Sequence, residues 1–303
     1  MRGIPIHGWV AIDKPLGLTS TAVVGRVRRI LNAAKVGHGG TLDPLASGVL
    51  PIALGEATKT VPFVMDGVKT YRFGVRWGEQ RSTDDGEGVV IATSPNRPAA
   101  TEIEAALTGF LGVISQQPPI FSALKLDGQR AYDLARAGAE VTLAPRKVRI
   151  DSLTLLAAAA DEALFEVTCG KGTYVRALAR DLGLVLGTFA YVASLRRTRC
   201  GPFAEERSIS LDKLEDIGHS AAAANYVLPV ATALDDIPAL ALTEDEARRL
   251  QSGQFLSISR LALHRDLPTT PLDSVLRAMD GGRLVALARI DGEEIRPVRV
   301  FNL

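Results

Sequence analysis

The chain has 303 residues, of which 47% are hydrophobic, and its formal net charge is only +1. This length suffices for one large domain with a smaller one, and this apolar fraction predicts a sizeable core and excludes a disordered chain. No uninterrupted apolar stretch reaches the ~18 residues that a membrane span needs, and the N-terminus lacks a signal-peptide pattern. Two cysteines, Cys169 and Cys200, form no metal-ligand cluster in sequence, so the composition predicts a cytoplasmic protein.

The first predicted elements lead into a glycine-rich loop. Gly8 to Asp13 predicts a short strand, and Ser20 is predicted to cap the following helix, whose apolar residues over 23–31 recur at helical spacing. Residues 49–54 form a compact apolar run that is typical of a buried strand. The intervening loop at 37–48 therefore lies at the entrance of a buried strand.

The elements that follow mix strands and helices without regular alternation. Strands are predicted over 71–77, 148–157, 163–169 and 189–198, and helices begin at Thr101 and Tyr174. Such a mixture favours an α+β fold with a mixed sheet over a doubly wound parallel sheet.

The composition shifts at Ser220–Asn225, and a small β-rich unit is predicted beyond that segment. A capped helix is predicted over 243–250, followed by strands at 275–278, 284–290 and 295–301. The turns between these strands, Asp280-Gly281-Gly282 and Asp291-Gly292, carry the chemistry of β-hairpins.

One carboxylate, Asp43, stands in the loop at 37–48 without a neighbouring acid, cysteine or metal-spaced histidine pair. Glycines let a backbone turn sharply and approach a ligand closely, and Pro44 biases Asp43 toward an extended conformation. A lone positioned carboxylate indicates nucleophilic or acid/base chemistry. The alternative is an ordinary turn, in which Asp and Gly are simply turn formers.

The loop also resembles a known family signature. Residues 37–48 are similar to the G-H-x-G-T-L-D-P-x-A-x-G segment of the TruB-family tRNA pseudouridine synthases, which act on uridine 55. Further blocks match in order across residues 8–203: D-K-P-x-G-x-T-S at 13–20, L-G-x-A-T-K at 54–59, K-x-Y at 69–71, the Q-x-P-P…S-A-x-K…G-x-R-A-Y series up to Tyr132, G-T-Y-V-R at 172–176 and L-R-R-T at 195–198. Phe121, Gly170 and Tyr191 depart from the usual tyrosine, serine and histidine, and none of them belongs to the presumed catalytic set.

The resemblance implies both a domain organisation and an activity. It implies a pseudouridine synthase catalytic domain over residues 1–220 and a small PUA-like RNA-binding domain over 227–303. The alternative for the tail is a structural β-rich appendage. The implied activity is the isomerisation of uridine 55 to pseudouridine in the T arm of tRNA, with base flipping and Asp43 as the nucleophile. Because nothing is oxidised or hydrolysed, no cofactor or metal is expected. The route of C–N cleavage stays open between C6 addition, C1′ attack and a glycal.

The resemblance also implies roles for individual side chains, each of which has an ordinary structural alternative. Arg176 would pair with Asp43, and Tyr71 would stack on the target base and position or move a proton. The remaining implied contacts are pocket walls from Tyr174 and Leu195, RNA stacking by His38, and phosphate binding by Lys14, Lys59, Arg196 and Arg197.

The distribution of charge leaves the extent of RNA binding open. The sequence pI of about 7.8 is below the value above ~9 that is typical of strongly basic nucleic-acid binders. Basic clusters at 26–35, 146–149 and 196–199 would form a phosphate-binding face if folded together, or separate solvated patches if not. The alternatives are a tRNA folding factor with a secondary isomerase site, and a synthase for a different RNA. No guide RNA or obligate protein partner is expected.

Overall fold

The computed structural model describes residues 3–122, 124–126, 129–130, 132, 142–218, 220–264, 268 and 274–303. Part of the predicted Q-x-P-P…S-A-x-K…G-x-R-A-Y series lies outside these residues, including Ala123, Gly128 and Ala131. The predicted catalytic and substrate-binding residues all lie within the described part.

A ten-stranded mixed sheet forms the centre of the first 210 residues. In chain order the strands of this part are β1 (Gly8–Lys14), β2 (Val36–His38), β3 (Ala46–Leu54), β4 (Lys69–Trp77), β5 (Glu79–Arg81), β6 (Val90–Thr93), β7 (Gly112–Gln116), β8 (Lys125–Leu126), β9 (Gln129–Arg130), β10 (Arg146–Ala158), β11 (Glu162–Cys169), β12 (Ala190–Cys200), β13 (Phe203–Ala204) and β14 (Ile209–Ser210). The main path of the sheet runs β14-β1-β3-β12-β4-β11-β10-β7, with β2 beside β3 and β13 beside β12. The pairs β3–β12 and β1–β14 are parallel and the others antiparallel, as a mixed sheet requires. The predicted α+β class is therefore confirmed.

The helices pack against this sheet. They are α1 (Ser20–Ile30), α2 (Val61–Asp66), α3 (Ala100–Leu107), α4 (Val175–Val185), α5 (Leu211–Ile217) and α6 (Ala221–Ala224). The cap predicted for α1 is wrong by one residue: the Thr19 hydroxyl accepts from the Ala22 N–H at 3.1 Å, and Ser20 is the first helical residue. No helix in the part of the chain that the structure describes combines the length and apolarity needed to cross a membrane.

Strands β1 and β3 separate two hydrophobic cores because successive side chains of a strand point to opposite faces. Val10 and Ile12 of β1 contribute to one core together with residues of α1 and α4, whereas Trp9 and Ala11 contribute to the other. Strand β3 has eight of its nine residues buried, which explains its almost uninterrupted apolar sequence. Both strands are thus central, and the loop that precedes β3 is anchored on a rigid element.

A second, five-stranded sheet is formed by residues 239–300. Its strands are β15 (Ala239–Ala241), β16 (Leu256–Ser257), β17 (Val275–Asp280), β18 (Arg283–Asp291) and β19 (Glu294–Val300), in the order β15-β17-β18-β19-β16, with helices α7 (Glu244–Gln251) and α8 (Ile258–Ala262) beside them. Gly281, Gly282 and Gly292 have positive φ angles of 53°, 90° and 58° at the two hairpin turns. The predicted β-rich unit and both of its hairpins are confirmed.

The two sheets share a core. Leu228 exchanges two backbone hydrogen bonds with Trp9, of 2.8 and 2.7 Å. The core behind β1 and β3 contains Trp9 and Phe203, and it also contains Leu234 and, from the second sheet, Leu284, Leu287 and Phe301. The domain boundary at 220–227 stays a prediction, and the residues just beyond it pack directly on the first sheet.

Candidate active site

Asp43 and Arg176 form an ion pair at the mouth of a cavity. The Arg176 Nη2 lies 2.8 Å from the Asp43 Oδ2, and the side chain of Arg176 is only 7% exposed while that of Asp43 is 39% exposed. Asp43 lies in the loop between β2 and β3, and Arg176 lies in the first turn of α4. The structure therefore brings together the two residues that the sequence predicts as partners.

Arg176 is itself held by groups from two other segments. Its Nη1 lies 3.2 Å from the Asp85 Oδ2 and donates to the Thr83 carbonyl at 3.0 Å, and its Nη2 donates to the Phe121 carbonyl at 2.9 Å. Asp85 is 1% exposed, and it accepts further hydrogen bonds from the Thr83 hydroxyl and the Glu87 N–H. A buried carboxylate with this many donors stays in one position. The sequence analysis missed Asp85.

The backbone on either side of Asp43 is anchored by the segment that follows β1. The Ser20 hydroxyl accepts from the Leu42 N–H at 2.8 Å and donates to the Leu42 carbonyl at 3.0 Å. The Pro44 carbonyl accepts from the Gly17 N–H at 2.8 Å and from the Lys14 Nζ at 3.4 Å. Lys14, Gly17 and Ser20 thus fix the residues directly before and after Asp43.

Lys14 is completely buried, in contrast to the phosphate contact that the sequence predicts. Its Nζ also donates to the Leu18 and Pro15 carbonyls at 2.7 and 2.9 Å, so its donors face the protein. Burial lowers the pKa of Lys14 to about 8, and the nearby Asp43 carboxylate partly opposes this shift. The structure gives this side chain a place beneath the loop and no exposed ammonium group for RNA.

Arg197 is also buried, with 1% exposure. Its guanidinium donates to the carbonyls of Val49 at 2.8 Å, Gly40 at 3.1 Å and Thr41 at 3.4 Å. Arg197 also lies directly opposite Tyr71 in the pairing of β12 with β4. We call residues 39–45 the Asp43 loop. The donors of Arg197 thus contact this loop and β3 and do not face a phosphate.

The other two basic residues predicted to bind phosphate are partly exposed but paired. Arg196 forms ion pairs with Asp13 and Glu205, both at 2.9 Å. Lys59 pairs with Glu56 at 2.6 Å and donates to the Val300 carbonyl at 2.8 Å, so it links the turn after β3 to the end of β19. A phosphate contact by either one would have to compete with these partners.

A cavity of about 310 Å³ adjoins the ion pair, and this volume lies in the range of small-ligand sites. Tyr71, Tyr174 and Leu195 line it together with Asp43 and Arg176. The structure therefore brings all the predicted pocket residues to one place. The walls are largely aromatic and aliphatic and carry one carboxylate, which suits a planar, weakly polar ring.

Neighbouring strands and one glutamine position these walls. Tyr71 lies in β4 and Leu195 in β12, which are paired antiparallel. The side-chain amide of Gln116 accepts from the Tyr174 N–H at 2.8 Å and donates to the Tyr174 carbonyl at 3.1 Å, fixing the residue that precedes α4. Burial raises the pKa of Tyr71 to about 12, so its hydroxyl is protonated at neutral pH.

A second cavity of about 370 Å³ lies on the other side of Asp43 and is lined by His38, Phe121 and Tyr132 among others. His38 is half-buried, and its Nδ1 accepts from the Gly40 N–H at 3.4 Å. Burial, aided by the nearby Arg197 cation, lowers the pKa of His38, which favours a neutral ring. His38 thus lies beside the site rather than among the groups that contact the Asp43 carboxylate.

In the described ranges, no group of three or more His, Cys, Asp or Glu side chains is placed to hold a metal ion. The site consists of one partly exposed carboxylate, its buried arginine and an apolar cavity that presents a phenol. This combination provides a nucleophile or base of fixed orientation beside a cavity that can bind a planar ring.

The fold and the site define a class of protein, the pseudouridylate synthases. The family model described as TruB family pseudouridylate synthase (N terminal domain) matches residues 28–175, and that described as tRNA pseudouridylate synthase B C-terminal domain matches residues 176–235. The chain is similar to the tRNA pseudouridine synthase B of Rhodospirillum rubrum, with 56% identity over 303 residues that cover 100% of this chain and 98% of the relative. The corresponding protein of Caulobacter vibrioides is 51% identical over 306 residues, with 100% and 98% covered. This chain belongs to the TruB family.

Solved structures agree with this assignment. An H/ACA ribonucleoprotein bound to a substrate RNA containing 2′-deoxyuridine matches with a TM-score of 0.76 and 25% identity, covering 98% of this chain and 86% of that chain. A Cbf5-Nop10-Gar1 complex matches with a TM-score of 0.75 and 26% identity, covering 98% and 84%. The similarity to both therefore extends through the second sheet as well as the first.

Proposed function

We propose that this chain converts uridine 55 in the T arm of tRNA to pseudouridine, with Asp43 as the catalytic nucleophile. The observation that carries the proposal is the Asp43–Arg176 ion pair at the mouth of a cavity with apolar and aromatic walls. Relatives that share about half of its residues over the whole chain are named tRNA pseudouridine synthase B. The substrate is tRNA, and the T arm and the position of the uridine are part of the proposal.

The reaction is an isomerisation. The N1–C1′ bond of the uridine breaks, the base rotates, and a C5–C1′ bond forms; C5 loses a proton and N1 gains one. Atoms and electrons therefore balance without an oxidant, a reductant or water. One ionised carboxylate beside the sugar and base is chemically adequate, and Asp43 supplies it through attack at C6 or C1′ or by assisting glycal formation.

Arg176 orients the Asp43 carboxylate. Its Nη2 lies within hydrogen-bond distance of the Asp43 Oδ2, and the buried Asp85 keeps that guanidinium in place. Asp43 retains 39% exposure of its side chain and lines the cavity. This geometry supports a nucleophile that is preorganised before the substrate arrives.

Tyr71, Tyr174 and Leu195 would hold the flipped base. Extracting a base from its stack costs a few kcal/mol, which stacking on an aromatic ring partly offsets. The Tyr71 ring would stack on the uracil, and Tyr174 and Leu195 would close the sides of the cavity. His38, in the second cavity, would stack on RNA bases next to the extracted nucleotide.

Phosphate binding is better assigned to exposed basic residues than to Lys14 and Arg197, whose donors face the protein interior. Arg146, Lys147 and Lys171 line a further cavity of about 600 Å³ that Tyr71 also borders. Cations at this rim would meet the backbone of an RNA whose base occupies the Tyr71 cavity. A tRNA-folding activity would use the same surface, and it requires no loss of the catalytic groups.

The direct test is to incubate the purified chain with an unmodified T-arm hairpin, without guide RNA or added cofactor, and to map pseudouridine by chemical derivatisation. Pseudouridine at the single T-loop position is expected. A minimal hairpin is preferred because magnesium also folds full-length tRNA. Absence of product on both the hairpin and a full transcript would contradict the proposal, and product at another position would reassign the target.

A further inference from the structure

The connection between β5 and β6 carries Asp85, the buried partner of Arg176, and we call its residues 84–88 the Asp85 turn. None of the residues of β5 and β6 is buried, so the hairpin contributes little apolar packing of its own to this turn. Asp84, at its start, has a φ of 59°, in the left-handed region that few residue types adopt readily. Contacts from other groups must therefore hold the Asp85 turn in place.

Arg81, the last residue of β5, provides such contacts. Its Nη1 donates to the carbonyls of Gly86 at 3.3 Å and Gly88 at 3.2 Å. Its Nε and Nη2 donate to the Glu79 Oε2 at 3.1 and 2.7 Å. An arginine side chain presents its donors in a fixed planar fork, so one rigid group joins β5 to the residues that directly follow Asp85.

The beginning of β12, a central strand of the sheet, contacts both Arg81 and the backbone around Asp85. Tyr191 is 6% exposed, and the Arg81 Cζ lies 4.4 Å from the centroid of its ring, which is the geometry of a cation–π contact. The N–H of Val192 donates to the carbonyl of the residue before Asp85 at 3.1 Å, and its carbonyl accepts from the N–H of the residue after Asp85 at 3.2 Å. Two successive residues of one rigid strand thus hold Arg81 and the Asp85 turn.

We propose that Arg81 is a positioning residue that fixes the Asp85 carboxylate relative to Arg176, and that the Tyr191 ring holds Arg81 in place. Position 191 carries tyrosine where the family usually has histidine. A tyrosine ring is uncharged near neutral pH, whereas histidine titrates at about pH 6.5 and its cation would repel a guanidinium. The inference deepens the proposed function, on which it rests for the role of Asp43.

A double-mutant cycle tests whether Arg81 acts through Asp85. Single-turnover rates at saturating enzyme are compared for Arg81→Gln in the native background and in the Asp85→Asn background. We expect a loss of about five- to tenfold in the first and of less than about twofold in the second, because the carboxylate to be positioned is gone. The affinity for tRNA should change by less than about threefold, since the described hydrogen bonds of Arg81 go to protein groups. Equal rate losses in both backgrounds would overturn the inference, and so would a loss confined to affinity.

Arg97→Gln is the matched control for the loss of a bracing arginine. Arg97 also combines one carboxylate, that of Asp161 at 2.7 Å, with two carbonyls of its own segment, at 2.9 and 3.1 Å. Its described hydrogen bonds do not reach the Asp85 turn. The single-turnover rate of this variant should therefore stay within about twofold of the native rate. A loss as large as that of Arg81→Gln would show an effect of general stability and would contradict the proposal.

Substitutions of Tyr191 test the stacking contact. Tyr191→Phe keeps the aromatic ring, so the single-turnover rate should stay within about twofold. Tyr191→Leu removes the π face that attracts the guanidinium, so the rate should fall by about three- to fivefold while the tRNA affinity is unchanged. Equal rates in the leucine and phenylalanine variants would show that the ring does not hold Arg81.

Amide hydrogen exchange provides a readout that requires no turnover. The Glu87 N–H donates to the Asp85 Oδ1 at 3.0 Å, so its exchange with water reports on the position of that carboxylate. Followed by NMR, this exchange should be faster in Arg81→Gln and unchanged in Arg97→Gln. Native exchange at Glu87 in a folded Arg81→Gln chain would refute the inference. The result is readable even if no pseudouridine forms, so it separates failure of the inference from failure of the proposed function.

Discussion

Asp43 and Asp85 hold the same guanidinium from two sides. The Arg176 Nη2 is 2.8 Å from the Asp43 Oδ2, and its Nη1 is 3.2 Å from the Asp85 Oδ2. The Asp85 side chain is 2% exposed, whereas that of Asp43 is 39% exposed. The buried carboxylate therefore serves as the anchor, and the exposed one is available to the substrate. A single arginine with two acidic partners sets the orientation of the reactive group.

The first prediction concerns Asp43. Asp43→Asn keeps the size of the side chain and removes its charge and nucleophilicity, so turnover should fall by at least about a thousandfold. Binding of tRNA should change by less than about threefold, because affinity comes from phosphate and stacking contacts elsewhere. Pseudouridine mapping and filter binding measure the two effects. Turnover within tenfold of the native chain would remove Asp43 from the centre of the mechanism.

The second prediction concerns Asp85. Asp85→Asn leaves Arg176 without its buried anion, and we expect the single-turnover rate to fall roughly tenfold to a hundredfold through misplacement of the guanidinium. The matched control is Asp84→Asn, which removes a comparable ion pair, with Arg180 at 2.9 Å, that does not reach Asp43. Asn tolerates the positive φ of 59° at position 84. Equal rate losses in the two variants would show that the effect of Asp85 is one of general stability.

The third prediction concerns the dependence of stability on pH. Burial in the folded chain lowers the pKa of Lys14 from its ordinary value of 10.5 to about 8. At a pH between these two pKa values, Lys14 binds more protons in the unfolded chain than in the folded chain. Its contribution to the free energy of unfolding therefore rises with pH. Between pH 8 and pH 10, the free energy of unfolding of the native chain should therefore increase relative to that of Lys14→Met. Urea unfolding at several pH values measures it, and a difference that stays constant would contradict the lowered pKa.

The sequence predicted correctly which residues lie together at the site. It did not predict the contacts of Lys14 and Arg197, which are buried. Family spacing and strand alternation were sufficient to place Asp43, Tyr71 and Arg176 together. Local sequence carries no signal for the burial of Arg197, since the carbonyls that it contacts are up to 157 residues away. Asp85 was missed for the same reason, because 91 residues separate it from Arg176.

The fold shows a similar division. Long strands with apolar alternation, such as β4 and β11, were predicted to within two residues. The β5–β6 hairpin was not predicted, because its strands have only three and four residues and none of these residues is buried. Yet the connection between the two strands of this hairpin carries Asp85. Short exposed elements bury little apolar surface, and so they leave little periodicity in the sequence.

The packing of the tail determines how its role can be tested. Deletion of residues 227–303 would remove Leu228, which pairs with Trp9, and Phe301, which shares a core with Trp9. Such a truncation would expose the apolar rear face of the first sheet and so confound binding with unfolding. Substitutions on the exposed face of the second sheet avoid this problem.

The last prediction is therefore that exposed arginines of the second sheet add tRNA affinity and leave the chemical step unchanged. Arg289 of β18 and Arg296 of β19 are directly opposite each other. Arg296 forms ion pairs with Asp291 and Glu294, so Arg289 is the residue of this pair that is tested. Arg299, opposite Leu287 on the same hairpin, is exposed as well.

Arg289→Ser combined with Arg299→Ser should weaken tRNA binding severalfold and lower the slope of log affinity against log salt by about one to two. The single-turnover rate at saturating enzyme should stay within about twofold, because the proposed catalytic residues lie in the first sheet, its loops and α4. Arg248→Ser, an exposed arginine of α7 that pairs with Glu244, is the control for loss of surface charge in the same part of the chain. If the double variant binds tRNA with the native affinity and salt slope, this face does not contact RNA. A lower single-turnover rate with unchanged tRNA affinity would instead show that the second sheet contributes to the chemical step.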